Sequence, residues 1–296
     1  MKDVYLYCCI SKQSHFKALK RSKTLQSKEQ LYVGFIDEVR QFHPGMGLRL
    51  MYEQFQPEGI GRDAFIALGL VNGFRLRKYT NPIKTTRAVK SSRYANLLVN
   101  KWVTDVNQVW VSDIFYFAIA GVHHYVVLIM DVYSRRIVGY QGADNMRAEN
   151  NIKALRMALN LRSIDHYANE LIHHSDRGSQ YISDNYTNIL DDFGIQVSMC
   201  SNVLENAHAE RVNGTIKNDY LRRWDIKDGK RFNAWVKRAV GSYNNRQHQS
   251  LGKRTPIKYE TYIKELSTDK KEKMNIFTIK KEDYKNPMQL SLFPEF

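Results

Sequence analysis

The sequence contains only three cysteines, Cys8, Cys9 and Cys200. No Cys-x-x-Cys pair occurs, which argues against a cysteine-based zinc site and a disulfide framework and favours a reducing cytosol. No apolar run approaches the roughly 20 residues that a membrane-spanning helix needs. The first residues, MKDVYLYCCISKQ, become polar too soon for a secretion signal. These absences predict a cytoplasmic protein without a membrane partner.

Other missing patterns exclude further classes of protein. There is no Gly-x-Ser-x-Gly sequence, which argues against a serine hydrolase, and no glycine-rich loop that could cradle a nucleotide phosphate. Internal repeats and long heptads are also missing, so the oligomeric state of the chain alone is undetermined.

Positive charge is what the sequence has in excess. Across 296 residues, 45 basic side chains face 30 acidic ones, for a formal net charge of +15. A basic surface gains free energy by releasing counterions from a phosphate backbone, so we expect nucleic acid as the partner. The hydrophobic content of 43% is typical of a folded chain.

Residues 1–74 read as short helices separated by glycine and proline. The apolar face in SKEQLYVGFIDEVRQFHPGMG ends at Pro44 and Gly45. GLRLMYEQF and EGIGRDAFIALGLVNGF predict two more helices, which suit a helix-turn-helix with a recognition helix from about Arg62. A plain three-helix unit is the alternative. The residues expected to face inward are Leu31, Phe35, Ile36, Val39, Phe65, Leu68 and Val71.

Residues 75–99 form a basic stretch without an acid or an apolar period, which predicts a linker. In a chain this basic we favour a linker that also lies along DNA over one that is merely solvated. The expected DNA contacts are Arg75, Arg77, Lys78, Lys84 and Arg87.

From residue 100 the pattern changes to strands. QVWVSDIFYFAIAG, HHYVVLIMDVYS and RRIVGYQGA predict three consecutive strands. Helices and strands then alternate through NELIHHSD and IQVSMC. This order predicts an α/β domain over residues 100–262, a mixed five-stranded sheet with helices on its faces. Residues 263–296 are expected to form a charged tail.

Three acids occur where the local pattern would not place them. Asp113 interrupts an apolar strand, Asp176 ends the strand LIHHSD, and Glu210 lies on the helix after IQVSMC. Each alone could be a surface or capping residue. In a ribonuclease-H-like sheet, however, these elements are neighbours, and converging carboxylates suit Mg²⁺ ions that bridge substrate phosphates.

Five motifs give the chain a resemblance to a known family. VWVSDIFYF, MDVYSRRIVGY, HHSDRGSQYIS, NAHAERVNGTIKNDYL and YNNRQHQSLGKRTP come in the order found in OrfB-type insertion-sequence transposases, which are relatives of retroviral integrases. The resemblance implies a DNA transposase that cleaves and transfers strands at element ends. It implies catalytic and metal-binding roles for Asp113, Asp176 and Glu210, with two Mg²⁺ or Mn²⁺ ions per site.

The resemblance also implies partners: double-stranded DNA at element ends and target, a homo-oligomer on DNA, and fusion with an upstream reading frame. The alternative function is a catalytically inactive, transposase-derived DNA-binding protein. A nuclease acting on RNA–DNA hybrids is a third reading, which the helix-turn-helix and the basic linker disfavour.

Other polar residues are alternative candidates for these catalytic roles or lie near the three acids in the sequence. Glu205 is a rival for the third acid because the segment before Glu210 is shorter than in most members, but Glu210 fits the motif NAxxE. We interpret Asp131 as a turn residue. Adjacent His173 and His174 point to opposite faces of a strand, so one should lie in the core and one at the site.

Expected DNA contacts flank the acids. Asn213, Gly214 and Lys217 share the helical face of Glu210, where Gly214 would permit close approach and Lys217 would reach a phosphate. Arg177, Gln180 and Tyr181 follow Asp176 and would position a strand end. The loop after the last long helix could pack on the core and also contact DNA. Its candidates are Arg246, Lys253 and Arg254.

The last residues, NPMQLSLFPEF, resemble the short peptide by which bacterial replication proteins dock on the sliding clamp. Two apolar anchors would fill a groove while a glutamine bonds at its rim. Folding back on the body is the alternative. The candidate clamp-docking residues are Gln289, Leu290, Leu292 and Phe293.

Overall fold

The computed structural model describes residues 11–77, 79, 94–164, 170–200 and 206–276. The chain divides into two units between Thr80 and Asn81. Each unit buries apolar side chains of its own, as an independent domain requires. Among the residues described, no helix is long and apolar enough to cross a membrane.

Within the described residues, the N-terminal unit contains three helices, and the sequence predicts helices in this region. They are α1 (Lys12–Phe42), α2 (Leu48–Phe55) and α3 (Arg62–Val71). The first begins after Ser11, whose hydroxyl accepts a hydrogen bond from the backbone N–H of Ser14 at 3.0 Å. A Cβ at Gly69 would lie 2.7 Å from Leu48, so glycine lets α3 approach α2 closely. The helix-turn-helix function of this unit stays a prediction.

Two residues expected to face the core of this unit do not. Leu31 is 73% exposed and Val71 is 86% exposed. α1 begins at Lys12, and its side chains up to Leu31 are almost all exposed, so Leu31 has no core to meet. On α3, Phe65 and Gly69 set the buried face, and Val71 is about 200° around the helix from Gly69.

Strands of the second unit form a two-stranded and a five-stranded sheet. They are β1 (Trp102–Val103), β2 (Val109–Ile119), β3 (Val122–Asp131), β4 (Ile137–Ala143), β5 (Ile172–Ser175), β6 (Gln196–Met199) and β7 (Met274–Asn275). The larger sheet has the order β4-β3-β2-β5-β6. β2, β3 and β4 are antiparallel, whereas β5 and β6 run parallel to β2. The predicted ribonuclease-H-like, mixed five-stranded sheet is therefore confirmed.

Helices cover both faces of this sheet. They are α4 (Ala148–Arg162), α5 (Asp184–Asp192), α6 (Ala207–Thr215), a π-helix (Ile216–Leu221), α7 (Phe232–Asn244) and α8 (Pro256–Glu265). Because side chains alternate along β2, Val111 packs beneath α6 and α7, while Trp110 packs beneath α4 and α5. Gly139 allows α4 to lie close, since a Cβ there would be 2.1 Å from the carbonyl oxygen of Ala154.

The core extends beyond the expected boundaries at residues 100 and 262. Leu98 and Ile263 are buried, and Ile276 is only 8% exposed. β7 pairs with β1, and the Tyr133 hydroxyl donates to the carbonyl oxygen of Glu272 at 3.0 Å. Residues 263–276 thus pack against the core through Ile263 and Ile276, although the high charge of this segment predicts a tail.

Candidate active site

The register of the central strands places two of the predicted acids at the same height on the sheet. β5 runs parallel to β2, with Val111 opposite His174. Asp113 and Asp176 each come two residues further along, from strands whose backbones are about 4.8 Å apart. β5 ends at Ser175, so Asp176 lies at its carboxyl end while β2 continues. The topology therefore brings these two acids to neighbouring positions.

Tyr181 is buried against the strand that carries Asp113. Its ring is 1% exposed, and its hydroxyl shares a hydrogen bond of 2.8 Å with Ser112 Oγ. Burial raises the pKa of the phenol well above its usual value, and the negative charges of Asp176 and Asp113 raise it further. Both carboxylates thus act electrostatically on one buried hydroxyl. The expected contact of Tyr181 with a DNA strand end is replaced by this internal role.

Glu210 lies on the face of α6 that contacts β2. Asn206 Nδ2, just before the helix, donates to the carbonyl oxygen of Ser112 at 3.3 Å. Asn213 Nδ2 donates to Asp113 Oδ2 at 2.8 Å. Residues four and three positions apart share a helix face, so half-buried Glu210 lies between these two contacts. Ser112 and Asn206 were missed by sequence reasoning, although a serine inside an apolar strand was a usable signal.

The oxygen atoms around Asp113 are ligands of the kind that Mg²⁺ prefers. Mg²⁺ takes one or two protein carboxylates and completes its shell with water and substrate phosphates. Asp113 and Asp176 can supply the carboxylates. Beside them, Asn213 Oδ1 is buried and has no hydrogen-bond partner among the described residues, as an oxygen available to a cation would be. These residues fit a magnesium site.

Within the described ranges, no three His, Cys, Asp or Glu side chains are arranged to hold one metal ion. Joint binding of one ion by Asp113, Asp176 and Glu210 therefore stays a prediction.

Lys217 follows this face into the π-helix. Its Nζ lies 4.6 Å from the centre of the Tyr116 ring, close to the strand that carries Asp113. At Gly214 a Cβ would meet nothing within 4 Å, so the space beside it is open. This is compatible with the expected close approach of a ligand on this side of α6.

Several other candidates for DNA contact are accessible. Arg75 and Arg77 are exposed in the N-terminal unit, Lys253 is exposed in the core unit, and Arg177 is half-buried directly after Asp176. Outside the described residues, and still predictions, are Lys78, Lys84, Arg87, the rival acid Glu205, and the clamp-docking residues Gln289, Leu290, Leu292 and Phe293.

The loop after α7 was expected both to pack on the core and to contact DNA, and the structure shows the packing. Arg246 donates to Asp219 at 2.7 Å, and only 17% of its side chain is exposed. The guanidinium of Arg254 lies 3.9 Å from the ring centre of Tyr262. Arg246 therefore forms an internal ion pair, which replaces its expected contact with DNA.

Asp131, the other rival acid, has an internal role, as expected. It is fully buried and accepts hydrogen bonds from the backbone N–H groups of Asn107 at 2.7 Å and Ser134 at 2.9 Å. Arg162 lies 3.8 Å away and also donates to Glu260. Backbone donors and a guanidinium occupy this carboxylate, so it is a structural group.

The adjacent histidines are both buried. His173 Nε2 and the Tyr186 hydroxyl are 2.9 Å apart, and His174 Nδ1 and Ser198 Oγ are 2.8 Å apart. The expectation that one of them lines the site is wrong, because α5 and β6 cover them. The alternation of side chains along a strand predicted that the two histidines point to opposite faces of β5. It did not indicate that both faces of this short strand are buried.

Two segments of the chain match family profiles described as "Integrase core domain", at residues 103–202 and 195–256. A 31 kDa protein of insertion element IS600 from Shigella sonnei is 34% identical over 221 residues, covering 72% of this chain and 80% of that protein. The transposase for insertion sequence element IS629 from Shigella sonnei is 28% identical over 274 residues, 90% of each chain.

Among solved structures, the chain is similar to the HTLV-2 integrase catalytic core domain in complex with magnesium. The sequence identity is 17%, the match covers 56% of this chain and 99% of that one, and the TM-score is 0.43.

Proposed function

The chain belongs to the insertion-sequence transposases with an integrase core domain, and on this premise we propose that it cleaves and joins DNA strands at element ends. The observation that supports this best is the strand register, which brings Asp113 and Asp176 to matching positions on neighbouring strands. Glu210 supports it further, because it lies on the helix face that contacts Asp113.

In the proposed reaction, water attacks a phosphodiester at the end of the element, and the bond between phosphorus and the 3′ oxygen breaks. The freed 3′-hydroxyl then attacks a phosphodiester of the target, where the bond between phosphorus and the target's own 3′ oxygen breaks and that oxygen leaves as a 3′-hydroxyl. Strands are thus joined without a covalent protein–DNA intermediate. When bound, two Mg²⁺ or Mn²⁺ ions would stabilise the attacking and leaving oxygens of each in-line displacement. Asp113, Asp176 and Glu210 would hold the ions, and Asn213 would orient the Asp113 carboxylate.

Double-stranded DNA is the proposed substrate and partner. The net charge of +15 supports it, as do the exposed Arg75, Arg77 and Lys253. Lys217 would contact a phosphate beside the acids. We propose that the protein acts in the cytoplasm as a homo-oligomer bound to DNA. We also propose that a fusion of this chain with the product of an upstream reading frame is made there.

The test is strand cleavage and joining on duplexes taken from the DNA that flanks the gene. Wild type is compared with Asp176→Asn, and Asp191→Asn, an exposed acid on α5, serves as control. We expect Mg²⁺- or Mn²⁺-dependent products from wild type and the control and none from Asp176→Asn. Equal products from Asp176→Asn would show that the nuclease lies elsewhere or is a contaminant.

Binding of element ends by wild type without products would favour the inactive DNA-binding relative. The same reactions with the upstream frame fused to the chain decide this alternative. Products that appear only with the fusion show that the core is active and depends on the added DNA-binding segment.

A further inference from the structure

Tyr116 lies on β2, three residues after Asp113, and is 47% exposed. A single exposed aromatic side chain is common and by itself indicates nothing. Its ring, however, is in contact with the ammonium group of Lys217, whose Nζ is 4.6 Å from the ring centre. A cation within about 6 Å of an aromatic face is attracted by the ring quadrupole.

Lys217 comes from backbone that is fixed next to the acids. It belongs to the π-helix that continues α6, and such wide turns are frequent at functional sites. Ile216 beside it is fully buried, and Asn213 one turn earlier bonds Asp113. The backbone at Lys217 is therefore held, but a four-carbon stem still leaves the ammonium many rotamers.

The Tyr116 ring is itself held by the hairpin. The ring of His123 on β3 meets it at 90°, with the centroids 5.3 Å apart. In the β2–β3 register, Tyr116 is opposite Tyr125, and Ala118 is opposite His123. A T-shaped arrangement is favourable for two rings, so the hairpin gives Tyr116 a defined orientation.

We propose that Tyr116 is a positioning residue that holds the Lys217 ammonium next to the strand that carries Asp113, where it contacts a phosphate of the bound DNA. This inference rests on the proposed function. A lysine that is already held loses less conformational freedom when it binds the phosphate, and the affinity rises accordingly. A phenylalanine ring would serve equally, because the interaction uses the aromatic face and not the hydroxyl.

The first test is the affinity for a labelled element-end duplex, measured without divalent metal so that no cleavage intervenes. We expect Tyr116→Leu to weaken binding about two- to fivefold, the range of an exposed cation–π contact, and Tyr116→Phe to bind like wild type. In a Lys217→Met background, Tyr116→Leu should have no further effect. Val122→Ala, at the 60% exposed end of the hairpin, is the matched control.

Two results would overturn the proposal. If Tyr116→Leu binds like wild type, the ring does not position Lys217. If it weakens the Lys217→Met protein as much as wild type, the ring contacts DNA directly. Absence of cleavage by wild type would count against the proposed function but would leave this comparison of affinities valid.

A second measurement needs no DNA. The ε-methylene protons of Lys217 should show an upfield ring-current shift in the NMR spectrum, assigned with Lys217→Met. We expect Tyr116→Phe to keep the shift and Tyr116→Leu to lose it. An unshifted resonance in wild type would overturn the contact itself, whatever the affinities show.

Discussion

Two groups of carboxylates lie in the same core and differ in what holds them. Asp113 accepts a hydrogen bond from the neutral amide of Asn213. Glu260 on α8 instead accepts hydrogen bonds from two guanidinium groups, Arg136 at 2.6 Å and Arg162 at 2.9 Å. The neutral Asn213 amide orients the Asp113 carboxylate without neutralising it, whereas the guanidinium groups neutralise the carboxylate of Glu260.

The second group is a balanced cluster of two acids and two arginines. Burial raises the pKa of Asp131, and the charge of Arg162 opposes this. Burial would also raise the pKa of Glu260, but hydrogen bonds and charge from Arg162, together with bonds from Ser134 and Arg136, lower it overall. The cluster joins α8, α4 and the end of β3, so it acts on stability and not on a ligand.

Of the substitutions that distinguish the two groups of carboxylates, Glu260→Gln is expected to have the largest effect, and that effect is on stability. Removing this charge leaves Arg162 buried without its main counterion, which should lower the free energy of unfolding by about 3–5 kcal/mol. Urea denaturation measures it, and Glu265→Gln, an exposed acid on the same helix, is the control. The Mg²⁺ requirement of cleavage should stay that of wild type. A loss below about 1 kcal/mol would mean that the cluster contributes no more than a surface pair.

A smaller effect, on the metal and not on the fold, is expected from Asn213→Ala. Groups that orient a metal ligand typically change metal affinity about 10- to 100-fold when removed. The Mg²⁺ concentration that half-saturates cleavage should rise by that factor. Asn218→Ala is the control, because Asn218 accepts a hydrogen bond from Arg222 at 2.8 Å one turn further along. An unchanged Mg²⁺ requirement would show that the Asn213–Asp113 bond does not serve a metal site.

The difference between these groups also separates what the sequence predicts from what it does not. The neighbouring positions of Asp113 and Asp176 could be predicted, because one acid interrupts an apolar strand, the other follows one, and the order of elements sets which strands are neighbours. Their catalytic role stays a prediction. The Glu260 cluster could not, because it joins residues 131, 136, 162 and 260, and an acid on a charged helix looks like a surface residue.

Because local sequence does not reveal long-range contacts, it also failed to predict the domain boundary at residue 262 and the exposure of Leu31. The return of residues 274–275 to pair with β1 depends on long-range contacts, while the local sequence is only charged and polar. Leu31 fits an apolar period, but whether that period meets a core depends on where α1 begins. The contact of Tyr116 with Lys217 joins a strand to a π-helix, and no local pattern indicates it.

Buried histidines are a third kind of polar group, favoured inside the fold only while they are neutral. Burial, reinforced by the charge of His174, lowers the pKa of His173 from 6.5 to about 3. Burial likewise lowers the pKa of His248 to about 4. A lowered pKa means that the unfolded chain takes up the proton first. The contribution to stability is therefore complete above pH 6.5 and is lost as the pH falls towards the folded value.

The smallest effect follows from this titration. The free energy of unfolding of wild type should fall as the pH drops from 6.5 towards 4. His173→Gln should reduce that slope by about 1.4 kcal/mol per pH unit, the contribution of one proton. Urea denaturation at several pH values in this window measures both slopes, and the exposed His123, changed to Gln, is the control. A wild-type slope in His173→Gln would mean that His173 takes up no extra proton on unfolding. The imidazole ring of His173 would then be charged in the folded protein while hydrogen-bonded to Tyr186. His173 would in that case resemble the charged groups of the Glu260 cluster and not a neutral core residue.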